Sequence, residues 1–167
     1  TYAQTISAET AAGMEELTLD LTLGEKMRSI DLLPRLREAQ PVYRNEIYGF
    51  SLRLPETWAE QIDVQSASET EFTFYRRDVQ RPEDLTRGVV MELCVTTQQG
   101  FQEVYGDKDL DGMYAAGGPR ITVLGSVGEQ LVYLHIDIPA EETDAALNAM
   151  RREAVGITAG DFTVFRD

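Results

Sequence analysis

The sequence predicts an α+β domain, and three observations carry that reading. Apolar and polar residues alternate with a period of two over short runs, most cleanly at Phe50, Leu52 and Leu54 between Ser51 and Arg53. Two further runs, 121–127 and 130–138, face each other across Gly128 and Glu129, as the arms of a hairpin do. Near the C-terminus the spacing changes to that of a helix, with Ala146, Leu147, Met150 and Ala154 forming one apolar stripe.

Taken in order, residues 1–13 are small and polar and are expected to be an irregular tether, the start of a mature or trimmed product. Leu17, Leu19, Leu21 and Leu23 alternate with Thr18, Asp20 and Thr22, a strand pattern, although Met14, Leu17 and Leu21 also fit a helical stripe. Residues 25–40 place Met27, Ile30, Leu33 and Leu36 at helical spacing, with Pro34 kinking the helix or starting a second one, and Pro41 closing it. Residues 1–40 therefore read as an N-terminal arm of strand plus helix, and 41–167 as a single domain. Gly49 permits a sharp turn into the strand at Phe50, Pro55 stops that strand, and Trp58 is expected to fold back over the same core.

Ile62 and Val64 mark the next strand, and Phe72 and Phe74 the one after it. A polar loop over 76–88 leads into Val89, Met91, Leu93 and Val95, the strongest strand of the middle region. Residues 98–119, rich in glycine and aspartate, are expected to be irregular. Thr143 is placed to cap the C-terminal helix, Arg151 and Arg152 lie near its negative end, and Gly156 follows it. Phe162 and Val164 suggest a last short strand.

The run from Tyr48 through Gly49, Phe50, Ser51, Leu52, Arg53, Leu54, Pro55, Glu56 and Thr57 to Trp58 resembles the opening of PsbP-like domains. It is also similar to a group of small secreted or lipid-anchored proteins of Gram-positive anaerobes, and Ile121–Gly125 through Ile138 and Pro139 is similar to their late hairpin. The resemblance covers roughly residues 43–156. It implies an antiparallel β-sheet of about six to seven strands flanked by helices, a PsbP-like sandwich. It also implies an extracytoplasmic location, secreted or anchored at the cell surface, and a family that binds partners without established chemistry, so no catalytic residue carries over.

Composition narrows the function further. With 43% hydrophobic and 26% charged residues the 167-residue chain can bury a proper core. No apolar run approaches the ~18 residues that a membrane-spanning helix needs. Twenty-nine acidic against fifteen basic residues give a net charge of −14, which repels phosphate backbones and anionic head groups. Nucleic acid is thus an unsuitable partner, and an unknown protein or polar ligand is expected.

Candidate chemistry is sparse. Asp107, Asp109 and Asp111 with Gly112 reproduce the first half of a calcium-binding loop, but its ninth and twelfth positions are Ala115 and Gly118, so the bidentate carboxylate is missing. Calcium is the one cofactor this pattern allows; an acidic turn is the alternative. His135, the sole histidine, shares a strand face with Asp137, which can orient an imidazole in a hydrolase, yet no serine sits in a nucleophile elbow. Cys94, the sole cysteine, is expected to be a small buried filler. Arg76, Arg77, Arg81 and Arg87 cluster in one loop and are the partner-binding candidates; Asp78, Glu83 and Asp84 among them offer local neutralisation instead. The preferred function is a non-catalytic binding or accessory module. A calcium-binding version and a hydrolase using His135 and Asp137 are the rivals.

Overall fold

The computed structural model describes residues 2–10, 13–21, 40–78 and 87–165. Between residues 40 and 165 it is an α+β fold of two antiparallel sheets. The first sheet has three strands in the order β10-β4-β3: β3 (Val42–Asn45), β4 (Phe50–Arg53) and β10 (Phe162–Val164). The second has five in the order β5-β6-β7-β9-β8: β5 (Ile62–Ser66), β6 (Glu71–Arg76), β7 (Val89–Thr97), β8 (Arg120–Val127) and β9 (Gln130–Ile136). The expected antiparallel α+β class is present; among the described residues from 40 to 165 its strands number eight, in two sheets, the strand beyond the six to seven expected being Val42–Asn45, which pairs with Phe50–Arg53.

The alternation that marks each strand has its cause in burial. Phe50, Leu52, Phe72, Phe74, Met91, Leu93, Val95, Val132, Leu134 and Ile136 face a common core with Trp58 and with Leu147, Met150 and Ala154 of the C-terminal helix. Helix α3 (Ala145–Val155) and the three-stranded sheet thus cover one face of the five-stranded sheet. Trp58, in a short 3-10 turn (Glu56–Trp58) after the Pro55 stop, has no solvent exposure. The turn before β4 depends on Gly49, whose φ of 80° is left-handed, while Asn45 Oδ1 accepts the amides of Ile47 and Tyr48.

Residues 98–119 are not irregular. Helix α1 (Gln98–Tyr105) begins where Thr97 Oγ1 accepts the Gly100 amide, and α2 (Leu110–Ala115) where Asp109 accepts the Gly112 amide. Both lie in the crossover from β7 to the edge strand β8. Phe101, Tyr105 and Leu110 pack there with Ile121, Leu131 and Tyr133 in a second, smaller cluster. The hairpin across Gly128 (φ 57°) and Glu129 stands as the alternation indicates, with a bulge between Val123 and Gly125. The cap of α3 is Asp144, one residue beyond the expected Thr143.

In the N-terminal arm, β1 (Tyr2–Thr10) pairs antiparallel with β2 (Gly13–Leu21), so the expected tether is a strand and the leucine alternation is that of its partner. The proposed helix over 25–40 falls almost wholly outside the described residues. No helix among the described residues is long and apolar enough to cross a membrane.

Candidate functional site

A cavity of about 660 Å³ opens where β7 begins and β9 ends, a size within the ~300–1,000 Å³ typical of small-molecule sites. Its origin lies in strand pairing. The β7–β9 ladder runs from Thr97 opposite Gln130 to Glu92 opposite His135 and then stops. Beyond Ile136 the chain leaves the strand, passing through Asp137 and Pro139, and Val89–Met91 face the gap. The 139–144 segment and the first turns of α3 close the other side, contributing Glu141, Glu142, Asp144, Leu147 and Arg151, while Arg87 lines it ahead of β7.

Arg151 is the most constrained of these groups. It is four residues from Leu147 and therefore on the inward stripe of α3, with its side chain only 7% exposed. Its Nε donates to the Val89 carbonyl at 2.9 Å, and its Nη1 to Glu142 Oε2 and Asn148 Oδ1, each at 3.3 Å. Glu142 also accepts the Asp144 amide at 3.0 Å; that bond first, and Arg151 after it, hold its carboxyl below the usual range. Asp144 accepts the Ala146 and Leu147 amides at the start of α3 and two bonds from Arg76 Nη1 at 3.0 and 2.9 Å. The Leu147 amide is the largest cause of its lowered pKa, with Arg76 adding to it.

The remaining carboxylates are less engaged. Glu92 Oε2 lies 3.6 Å from His135 Nδ1, beyond hydrogen-bond distance. Among the described residues, Asp137 and Glu141 make no hydrogen bond or ion pair; both are exposed at the cavity. Asp137, expected to orient His135, is thus replaced as its nearest acid by Glu92 from the neighbouring strand. Among the described residues lining the cavity there is no hydroxyl, thiol or lysine.

The arginine cluster separates. Arg76 is bound to Asp144 and to Asp78, and the Asp78 bond is the chief reason its pKa is raised. Arg77 bonds Asp63 and the carbonyls of Glu60 and Ile62. Arg87 reaches the cavity, and Arg81, with Glu83 and Asp84, lies outside the described residues. The structure therefore brings Arg87 to the site and uses Arg76 to fix the start of α3.

Nor are the three aspartates gathered. Asp109 caps α2, Asp111 pairs with Arg120 at 2.6 Å, and Asp107 is exposed. Among the described residues no group of three or more histidine, cysteine or acidic side chains is placed to hold a metal ion. The Asp-x-Asp-x-Asp-Gly pattern serves here as a helix start. Cys94 is buried as expected: burial, opposed in part by a bond to Tyr133, pushes its thiol up to about 11.

What the fold and site define is an α+β domain with an acidic cleft at the end of its larger sheet. No family model, curated protein or solved structure matches the chain.

Proposed function

We propose that this domain is a non-catalytic binding module of a secreted or surface-attached protein, PsbP-like in its sandwich, and that its ligand enters the cavity between β7, the end of β9 and α3. The observation that carries the reading is the character of the lining: among the described residues, seven charged groups in a space of ligand size, with no serine, threonine, cysteine, tyrosine or lysine. Two of its acids, Glu142 and Asp144, are committed to Arg151 and Arg76, so they hold the wall instead of reacting. His135 faces Glu92 and has no hydroxyl or thiol hydrogen-bonded to it among the described residues, which weakens the hydrolase. Capping by Asp109 and pairing of Asp111 weaken the calcium reading in the same way.

Two measurements test this together. A fragment screen followed by amide chemical shifts is expected to perturb Val90, Glu92, His135 and Leu147 as one group. A broad hydrolase substrate screen is expected to give no turnover. Turnover that disappears in His135→Ala would replace the binding module by an enzyme.

A further inference from the structure

The cavity's two kinds of charge define what it would hold. Building on the binding-module reading, we propose that the cavity takes a zwitterionic ligand of the short-peptide class, its carboxylate on Arg151 and its ammonium group among Glu92, Asp137 and Glu141. Arg151 supplies the first half. The side chain is more than nine-tenths buried, and Nε and Nη1 are engaged, while Nη2 donates to no group among the described residues. Nη2 is not one of the buried atoms left without a partner, so it opens on the cavity that Arg151 lines, and a carboxylate is the charge-complementary acceptor for that donor.

A simple anion does not fit the surroundings. Among the described residues the lining carries five carboxylates against two guanidinium groups, and the whole chain carries −14, so an isolated anion is repelled before it reaches Arg151. An acceptor that brings its own positive charge avoids this. Asp137 and Glu141 make no hydrogen bond or ion pair among the described residues, and Glu92 is 3.6 Å from His135, so three acids are available for an ammonium group. The ~660 Å³ volume exceeds what one amino acid fills, and room for a second residue selects a dipeptide or slightly longer chain.

The test uses alanylalanine, its methyl ester and its N-acetyl derivative, with calorimetry and amide shifts on the full chain. The free dipeptide is expected to shift Val90, His135 and Leu147, and each blocked form to bind at least about tenfold more weakly. Asp137→Asn combined with Glu141→Gln changes two exposed side chains, so folding is retained, and should weaken the free dipeptide by about tenfold or more. Equal binding of the ester and the free dipeptide would overturn the proposal, as would absence of any dipeptide response. Putrescine shifting the same amides where the dipeptide does not would overturn the zwitterion alone. If no probe perturbs the cavity, the binding-module reading falls with it.

Discussion

Replacing Trp58 separates two opposing contributions that the structure places on one side chain. The indole has no solvent exposure and belongs to the main core, so Trp58→Ala loses packing that ordinarily costs about 3–5 kcal/mol. Its Nε1, however, is buried without a hydrogen-bond partner, and removing an unsatisfied donor returns about 1–3 kcal/mol. The alanine variant should therefore lose about 2 kcal/mol, within a range of about 0–4 kcal/mol. Trp58→Phe sharpens the argument. It vacates roughly 40 Å³, worth about 1 kcal/mol at ~24 cal/mol per Å³, and also deletes the orphan donor. The phenylalanine variant is thus expected within about 1 kcal/mol of the parent. Urea unfolding followed by far-UV circular dichroism reads both, since the intrinsic fluorophore is lost. If phenylalanine costs as much as alanine, the indole N–H is not an orphan and the account of the core is wrong.

Three further perturbations follow. Cys94 keeps its proton in the folded chain up to about 11, whereas an unfolded thiol ionises near 9; stability is full below that lower value and falls as pH rises between the two, by up to about 2–3 kcal/mol. Thiol labelling at pH 8 should therefore track global unfolding, and rapid labelling of the native protein would refute the burial. Asp144 has a depressed pKa, so its stabilisation is present above pH ~4 and is lost as pH falls below it. Asp144→Asn keeps a capping oxygen but not the charge, and its difference from the parent should shrink on acidification; a constant difference down to pH 3 would refute the stabilisation of the carboxylate by the Leu147 amide and Arg76. Gly125→Ala would bring a methyl group within 2.8 Å of the Phe162 ring, itself 5.2 Å from the Phe50 ring centroid. The ring must move, so a cost of about 1–3 kcal/mol is expected, and an unchanged melting temperature would show that it moves freely.

Most of the strands were legible because their core-facing residues alternate with more exposed ones. Phe50 and Leu52, Phe72 and Phe74, and the odd-numbered residues from Met91 to Val95 point to the core, and a period of two records that without knowledge of partners. Helix α1 was hidden because only Phe101 and Tyr105 anchor it, with Gly100 inside and Gly106 directly after. The cavity was hidden for a different reason: it arises where β7 and β9 cease to pair, and residues 92 and 135 are far apart in sequence. Arg151 left a signal that was read otherwise. Its charge near a helix C-terminus suggested interaction with the dipole, yet its spacing from Leu147 and Ala154 already placed it on the inward stripe.

The end of the β7–β9 ladder also sets an order of opening. Pairing is continuous from the Gly128 turn to Glu92 and His135, and there the two strands part. Hydrogen exchange of the β9 amides that face β7 should accordingly be slowest beside Val132 and Leu134 and quicken toward His135, while the β8 side stays paired as far as Ile136 opposite Arg120. Anything seated in the gap would bridge the parted strands, so its residence would be written as slower exchange at that end of β9 while the amides near the turn keep their rates.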